Sequence, residues 1–338
     1  MEEYKALISI LNYNGSEDTL NCIKSFYHYE EVKNYSIVIW DNHSEIKEQE
    51  QLKKGLLELK YRIKICSNLE YETLNIQNFD IVLVLSSENL GFAKGNNHVI
   101  RKQINNFDYI ILLNNDTIFE KDTTKRIINY LHKHNSVGIA TSSIYYYHHP
   151  ESIWNAGGKM FFGTRKYYTE KYVNEKLKNG ITDQYVDYIT GCFMVVKSAI
   201  FQQFGLLTEK YFFGEEDYEF CKRMKRNKVK LIVLFNEKLY HKVGASISRN
   251  NLSSIYTIRK SFIHHLNRFI DMKYYYPALF WECWRLSSSI YIFLLMFMKS
   301  KGNLKLIMKY ILLLNYYAKR KNGVGKKFFL AVLNGKII

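Results

Sequence analysis

In the segment Tyr109-Ile110-Ile111-Leu112-Leu113-Asn114-Asn115-Asp116-Thr117, an apolar run leads directly into a polar turn, and this pattern indicates the class of fold. Its first five residues are typical of a strand that is buried on both faces. Three similar runs precede it along the chain: ALISIL (residues 6–11), YSIVIW (35–40) and IVLVL (81–85). Helix-like stretches lie between the runs, including 17–28, 95–104 and 122–133. This alternation predicts βαβ units and a mostly parallel sheet, which is an α/β fold.

Each of these four strands is followed by a cluster of polar residues. The clusters occupy 12–16, 41–44, 88–97 and 114–117. In open α/β sheets, ligands bind at the carboxyl ends of the strands, where such clusters would meet. The sequence therefore predicts a binding site at this edge of the sheet.

The alternation breaks down twice. Residues 58–80 interrupt it, and we expect an insertion there that contains an extra strand at 61–66. After residue 137 the pattern changes to short strands, turns and aromatic residues, with strands expected at 144–147 and 153–160. The remaining elements expected are a helix at 216–226, a strand at 229–234 and helices from 253 onward.

The positive charge is concentrated at the end of the chain. The 338 residues carry a net charge of +16, and eleven Lys and Arg residues but no Asp or Glu follow Glu282. An even basic face would indicate nucleic acid, whereas a basic, apolar tail favours an anionic membrane surface. The apolar segment 286–298 has 13 residues, fewer than the roughly 20 needed to span a bilayer. Residues 304–317 are amphipathic, with Lys305 and Lys309 on one face, so these helices lie on a membrane, pack on the enzyme core, or do both.

The cysteines and the first residues favour a cytoplasmic protein. The five cysteines are odd in number and include no CxxC pair, which argues against a disulfide framework or a zinc site. The segment Met1-Glu2-Glu3 leads directly into a strand without the features of a signal peptide.

Two carboxylate positions have both a chemical and a structural interpretation. Asp116, at the end of a strand, could hold Mg²⁺ or Mn²⁺ against a diphosphate, or it could cap a turn. Glu216 and Asp217 lie in an acidic cluster at a helix start, where one could act as a general base or both could stabilise the first turn.

Two further segments are ambiguous when taken alone. His241 follows a strand, and an isolated histidine is more often structural than a ligand. The turn 89–97 contains Gly91 and Gly95, which permit close approach of a ligand to the backbone. It lacks the GxGxxG spacing, and the chain contains no GxxxxGK[ST] motif, so neither dinucleotide-binding nor P-loop chemistry is indicated.

In their order and spacing, these segments resemble family 2 of the glycosyltransferases, especially its bacterial rhamnosyltransferase-like branch. The resemblance covers roughly residues 5–250, and its motifs are ISILNYN (8–14), WDNHS (40–44), 89–97, 113–117, GCFM (191–194) and 212–223. It implies a GT-A catalytic domain over 1–250, with a nucleotide-binding half (1–135) and an acceptor and catalytic half (136–250). Residues 251–338 would form a basic amphipathic helical extension.

The family's activity would be inverting transfer of a sugar from a TDP- or UDP-sugar, with Mg²⁺ or Mn²⁺ as the cofactor. Rhamnose is the sugar favoured by the resemblance, and the acceptor would be a saccharide or a lipid-linked saccharide in bacterial surface polysaccharide synthesis. The enzyme would be cytoplasmic and peripheral on the inner face of the cell membrane, with no nucleic-acid partner.

The resemblance also implies roles for single residues. Asp217, paired with Glu216, would be the catalytic base, and Asp116 and His241 would be the metal ligands. Asn114-Asn115-Asp116 would replace the family's Asp-X-Asp, and the uncharged Asn114 at its first position would weaken metal affinity. Asp41 would contact the base or ribose of the donor. The full set of donor-binding residues implied is Asn12, Asn14, Asp41, Asn89, Gly91, Gly95, Asn96, Asn114 and Asn115.

Three alternatives remain open at this stage. A nucleotidyltransferase would need a basic glycine-rich loop after the first strand, but residues 12–16 contain no Arg or Lys. A non-catalytic nucleic-acid-binding protein would need its charge on a common aromatic-basic face rather than in an apolar tail. A catalytically degenerate family member is the third, and Asn114 is the residue that supports it.

Overall fold

The computed structural model describes residues 4–243, 254–299 and 303–338. The chain divides into two compact units. The sheet unit comprises Met1–Leu207 and Asp217–Arg249, and the helical unit comprises Thr208–Glu216 and Asn250–Ile338. The boundary expected at residue 250 falls outside the described residues.

Within the described ranges, eleven strands form one sheet and two form a separate hairpin. The strands are β1 (Ala6–Asn12), β2 (Tyr35–Asp41), β3 (Ile63–Ser67), β4 (Ile81–Leu85), β5 (Tyr109–Asn114), β6 (Thr117–Ile118), β7 (Val137–Tyr146), β8 (His149–Asn155), β9 (Gly158–Phe161), β10 (Thr164–Tyr167), β11 (Asp183–Val186), β12 (Phe193–Lys197) and β13 (Lys230–His241).

The order in the large sheet is β11-β13-β7-β12-β5-β1-β2-β4-β3, with β6 beside β13 and β8 beside β7. The segment from β5 to β3 is entirely parallel, and its central strands are buried on both faces as their sequences predict. In the register, Asn12 lies opposite Asp41. The polar clusters that follow these strands therefore share one edge of the sheet.

The described helices are α1 (Ser16–Tyr29), α2 (Ile46–Leu57), α3 (Asn68–Thr73), α4 (Phe92–Gln103), α5 (Thr123–Lys133), α6 (Glu170–Lys178), α7 (Ser198–Phe204), α8 (Glu216–Arg226), α9 (Ser254–Tyr275), α10 (Ala278–Lys299), α11 (Leu304–Arg320) and α12 (Lys326–Leu333). The extra strand expected at 61–66 is present as β3, which extends the parallel sheet at its edge. Residues 153–160 do not form the one strand expected, since Gly157 has a φ of +73° and separates β8 from β9.

The helical unit contains α9 to α12, with α11 packed against both α9 and α10. Its core includes Phe262, Leu266 and Ile270 of α9 and Tyr310 and Leu314 of α11. Among the helices in the described part of the chain, none is long and apolar enough to cross a membrane.

Candidate active site

Asp116 and His241 are brought together by the short strand β6. Antiparallel pairing of β6 with β13 places Thr117 opposite His241, so that Asp116 lies beside the imidazole. His241 Nε2 lies 2.9 Å from Asp116 Oδ1, and the side chains are only 7% and 6% exposed. The ring of Trp154 packs edge-on against His241, with 4.4 Å between the ring centroids.

This pair fits a divalent cation. Within the described residues, neither Asp116 Oδ1 nor His241 Nδ1 makes a hydrogen bond, so the 2.9 Å approach lacks hydrogen-bond geometry. A buried carboxylate oxygen without a donor is costly, and a metal ion would satisfy it. Across the described ranges, no group of three or more His, Cys, Asp or Glu side chains could hold a metal ion. An ion at this pair would need further oxygen ligands from a diphosphate or water, which Mg²⁺ and Mn²⁺ accept readily.

Asp217 lies in the first turn of α8 and is held by three donors. Its Oδ2 accepts hydrogen bonds from the Tyr188 hydroxyl at 2.5 Å and from the Gly191 N–H at 3.2 Å. Its Oδ1 accepts one from the Tyr218 N–H at 2.7 Å and lies 3.6 Å from Arg165 Nη1. The side chain remains 18% exposed, so the carboxylate is both oriented and accessible.

Tyr188 is a fixed donor in this arrangement. Arg165 Nη1 donates to the Tyr188 hydroxyl at 2.8 Å, and its guanidinium lies 4.8 Å from the centroid of the same ring. Because arginine can only donate, the phenolic proton of Tyr188 points toward Asp217. Burial, reinforced by the charge of Asp217, raises the pKa of Tyr188 well above its ordinary value. The phenol therefore stays protonated.

Gly191 and Cys192 connect the carboxylate of Asp217 with the end of β5. The Cys192 carbonyl accepts a hydrogen bond from the Asn114 N–H at 2.8 Å, while the adjacent Gly191 N–H donates to Asp217. A Cβ atom at Gly191 would lie 3.3 Å from the ring of Phe92 and 3.7 Å from Asp217 Cβ. The motif GCFM thus brings the expected base close to the strand whose end carries Asn114, Asn115 and Asp116.

The amides that follow β1 and β5 form a network around Asp41. Asp41 is fully buried and accepts from Asn12 Nδ2 at 2.7 Å, from Ser44 N–H and Oγ at 3.0 and 2.6 Å, and from Gln49 Nε2 at 2.9 Å. These four bonds match the acceptor capacity of a carboxylate. Asn115 Nδ2 donates to Asn12 Oδ1 at 3.3 Å, which joins β5 to the network. In this structure Asp41 orders the strand ends.

Asn14 extends the same network, and Asn114 lies at its margin. Asn14 has a φ of +51°. Its N–H donates to Ser44 Oγ at 2.9 Å, and its Oδ1 accepts from the Glu45 N–H at 2.8 Å. Asn114 is half-buried at the end of β5, directly before Asn115.

The turn before α4 is fixed by two asparagines. Asn42 Nδ2 donates to Asn89 Oδ1 at 2.9 Å, and Asn89 Oδ1 also accepts from the Gly91 N–H at 3.0 Å. Gly91 has a φ of +80°, a conformation that favours glycine. The hydrogen bonds of Asn42 and Asn89 hold the Gly91 backbone beside the polar end of β2.

Gly95 and Asn96 lie one turn further along α4 and face the sheet. A Cβ atom at Gly95 would collide with Leu11, and Asn96 Oδ1 accepts from Ser9 Oγ at 2.8 Å. Both contacts pack α4 on β1. The roles expected for these two residues in donor binding remain predictions.

Glu216 is buried and begins α8, and the loop before it is held within the helical unit. Glu215 has a φ of +75°, and its carboxylate is paired with Arg268 of α9. Tyr211 donates to Asp271 at 2.5 Å, and Asn267 Nδ2 donates to the Gly214 carbonyl at 3.0 Å. The segment that leads into the expected acidic pair is thus fixed by α9.

Sequence reasoning missed the residues that orient the expected base. Tyr188 lies three residues before Gly191 of the GCFM motif, and this proximity was the available signal. Arg165 lies on β10 of the separate hairpin, and no local pattern marks it.

Comparisons with known proteins identify the family and the fold. The sequence profile of the family described as "Glycosyltransferase like family 2" matches residues 72–249, which is more than half of the chain. No curated protein is significantly similar in sequence.

Similar solved structures include GalNAc-T7 with UDP, GalNAc and Mn²⁺, at a TM-score of 0.54 and 12% identity. That match covers 77% of this chain and 51% of GalNAc-T7, so the chain spans about half of that protein's length. Another is the mannosyltransferase PcManGT from Pyrobaculum calidifontis in complex with GDP-Man and Mn²⁺, at a TM-score of 0.53 and 12% identity. It covers 95% of this chain and 88% of PcManGT.

At this level of identity the structural likeness shows the fold, which is GT-A with added C-terminal helices. The profile match establishes the family: the chain belongs to the glycosyltransferase-like family 2.

Proposed function

We propose that this glycosyltransferase transfers a sugar from a nucleoside-diphosphate donor to an acceptor hydroxyl with inversion at the anomeric carbon. The observation that carries the proposal is the oriented carboxylate of Asp217. It is fixed by Tyr188 and by Gly191, whose neighbour Cys192 contacts the end of β5. These contacts support the proposal because they bring the proposed base close to the strand end that we propose for donor binding.

In the proposed reaction, Asp217 takes the proton of the acceptor hydroxyl. The acceptor oxygen forms a bond to the anomeric carbon as the bond between that carbon and the diphosphate oxygen breaks. The bonding electrons leave with the nucleoside diphosphate. Attack from the face opposite the diphosphate inverts the configuration. Glu216, immediately before Asp217, is proposed to help shape this site.

Asp116 and His241 are the residues we propose for binding Mg²⁺ or Mn²⁺. When bound, the cation would offset the charge that develops on the diphosphate. The orphaned Asp116 Oδ1 supports this assignment, as does the Mn²⁺ present in both similar structures. The uncharged Asn114 leaves the site with fewer negative charges than an Asp-X-Asp pattern, so we propose weaker metal binding in the absence of nucleotide.

We propose that the nucleoside of the donor lies over the ends of β1, β2 and β5. Asn12, Asn14, Asp41 and Asn115 would define its floor, because their mutual hydrogen bonds give the strand ends a fixed shape. The turn of Asn89 and Gly91 would border the same space.

The substrates proposed are a TDP- or UDP-sugar, with rhamnose as the first sugar to test, and a saccharide or lipid-linked saccharide acceptor. Such an enzyme would act in bacterial surface polysaccharide synthesis, on the inner face of the cell membrane. The resemblance to the rhamnosyltransferase-like branch supports the sugar, and the basic tail supports the location.

Nucleotide binding tests the donor site. Calorimetry with UDP, TDP, GDP and ADP, each with and without Mn²⁺, would compare the parent with Asp116→Asn. Asp108→Asn is the matched control, because Asp108 directly precedes the first residue of β5, at the end of the strand away from Asp116. We expect one nucleotide to bind in a metal-dependent manner, with binding lost in Asp116→Asn and kept in the control. Failure of the folded parent to bind any of the four would overturn the proposal.

Turnover tests the base. With the nucleotide-sugar chosen by calorimetry, we expect Asp217→Asn to bind the nucleotide as the parent does but to lose transfer. Transfer at the parental rate by this variant would remove Asp217 from the mechanism. A parent that binds donor and transfers nothing to any acceptor would favour the degenerate alternative.

A further inference from the structure

Helix α10 has an apolar face that the fold leaves exposed. Its exposed apolar residues follow one another at intervals of three, four or seven positions, apart from one adjacent pair, and have fractional exposures from 46% to 81%. They are Leu279, Leu286, Ile290, Tyr291, Leu294 and Phe297. The opposite face of α10 is already buried within the helical unit through Trp281, Trp284, Ile292 and Met296. Packing of the unit therefore does not account for the exposed face.

Helix α11 repeats this arrangement. Leu304, Met308, Leu312 and Tyr316 follow one another at intervals of four residues and are all exposed, whereas Ile307, Tyr310 and Leu314 are buried. Lys305 and Lys309 are exposed and follow Leu304 and Met308 directly, so cations flank this apolar stripe. We call the two exposed faces together the α10–α11 face.

A polar contact fixes the two helices relative to each other. Arg285 of α10 is hydrogen-bonded to Asn315 of α11 and paired with Glu282. Asn315 Nδ2 also donates to Ser289 Oγ at 2.9 Å. These contacts hold α10 and α11 against each other, each helix with an exposed apolar stripe, and large exposed apolar patches mark interaction sites.

We infer that the α10–α11 face docks on an anionic lipid bilayer, with both helices lying in the plane of the interface. From Leu279 to Phe297, the apolar face of α10 is roughly 27 Å long. Helix α11, whose exposed apolar stripe is flanked by Lys305 and Lys309, has the amphipathic pattern of a helix that lies in a bilayer interface.

The positive charge of this region favours a lipid surface, and not a second copy of this chain, as the binding partner of the α10–α11 face. After Glu282 the sequence carries eleven Lys and Arg residues and no carboxylate side chain. A two-fold self-association through this face would place the same cations opposite each other. Anionic headgroups would instead neutralise them. This inference names the surface through which the proposed enzyme meets the membrane, and its test does not depend on turnover.

Cys283 provides a direct probe. All five cysteines lie in the described ranges, and Cys283, on α10, is the exposed one. We would attach an environment-sensitive fluorophore to Cys283 and titrate the full-length protein with phosphatidylglycerol/phosphatidylcholine vesicles. A blue shift with these vesicles, but not with phosphatidylcholine alone, is the expected result. An unchanged spectrum at saturating anionic lipid would overturn the inference.

Flotation of unlabelled protein with vesicles measures separately how apolar contacts and ionic contacts contribute to membrane binding. We expect Ile290→Glu/Leu294→Glu to reduce partition onto anionic vesicles at least tenfold. The control Leu57→Glu/Leu69→Glu changes two exposed leucines of the sheet unit and should float like the parent. Because all four side chains are exposed, circular dichroism should show that the variants remain folded.

A charge variant completes the test. Lys305→Glu/Lys309→Glu should weaken partition several-fold, and 0.5 M NaCl should weaken parental partition likewise. Equal flotation of the parent and Ile290→Glu/Leu294→Glu would contradict the inference. The inference would also be contradicted if the parent did not bind vesicles but formed a dimer that Ile290→Glu/Leu294→Glu dissociates. In that case a second copy of the chain would cover the face.

Discussion

Replacing Tyr188 with phenylalanine tests whether the proposed base is held in place by its neighbours. The Tyr188 hydroxyl donates to Asp217 Oδ2 at 2.5 Å and accepts from Arg165 Nη1 at 2.8 Å. Phenylalanine keeps the buried ring and removes the oxygen that joins these two charged groups. The change therefore removes hydrogen bonds with little change in packing volume.

The expected loss of stability follows from the bonds removed. Each hydrogen bond to a charged group contributes about 1.5–3 kcal/mol. Arg165 Nη1 already lies 3.6 Å from Asp217 Oδ1, so a direct ion pair can replace one of the two bonds. We therefore expect the free energy of unfolding to fall by about 1.5–3 kcal/mol, the contribution of the single bond that is not replaced.

The effect on catalysis has a different signature. Without the phenol, the carboxylate of Asp217 can rotate, and displacement of a reacting group by about 1 Å costs on the order of 100-fold in rate. We expect kcat to fall about 30- to 100-fold in Tyr188→Phe, with the nucleotide dissociation constant essentially unchanged, because the proposed donor contacts are made by other residues.

Urea unfolding, calorimetry and steady-state transfer would be measured together. Tyr185→Phe is the matched control, since this exposed tyrosine lies three residues earlier. A double-mutant cycle with Asp217→Asn should give non-additive stabilities. Parental stability and parental kcat in Tyr188→Phe would refute the reasoning, because the orientation of Asp217 would then not depend on this bond.

Three further variants test packing, loop anchoring and a buried titration. Gly95→Ala should lower the free energy of unfolding by about 1–3 kcal/mol, because the added methyl group would push α4 away from the sheet. Gly325→Ala is the control, since a Cβ atom there meets nothing within 4 Å. Thermal unfolding would compare the two variants. Arg268→Met removes the arginine that is paired with the buried carboxylate of Glu215, which should cost about 3–5 kcal/mol in urea unfolding, with partial recovery when Glu215→Gln is added. Burial raises the pKa of Glu30 from 4.5 to about 7, so its contribution to stability is present below pH 4.5 and is lost as pH rises through 7, by about 3 kcal/mol at most. Urea unfolding at pH 5 and 8 should show that Glu30→Gln removes this part of the pH dependence, and an identical slope in parent and variant would exclude it.

The sequence predicts the parallel part of the sheet well, because a strand that is buried on both faces has a continuous run of apolar residues. The run IVLVL matches β4 residue for residue, and YIILL ends one residue before β5 does. The edge strand β3 was expected close to its true position, at 61–66, but not as part of the parallel sheet, because a half-buried edge strand does not need such an apolar run. The antiparallel half was predicted only in fragments, because its pairings join segments far apart in the chain, as β12 does between β5 and β7.

The candidate site shows the same limit. Local motifs identified Asp116 and Asp217, since each follows or begins an element that the sequence predicts. Whether these residues touch depends on tertiary contacts, and the approach of Asp116 to His241 results from a two-residue strand, β6, that no periodicity reveals. Arg165 was missed for the same reason. Its part in the site arises from the fold of a hairpin distant in sequence.

The helical unit contains not only the C-terminal helices but also residues Thr208–Glu216, which lead into α8. The boundary between the units falls between Glu216 and Asp217, so the residues directly before the proposed base are structured by the C-terminal helices. Gly214 and Glu215 both have positive φ, and for Glu215 this conformation is unfavourable unless its surroundings impose it. Arg268 and Asn267 of α9 supply that restraint. Within the helical unit, α9 thus fixes the residues that lead along the chain to Asp217.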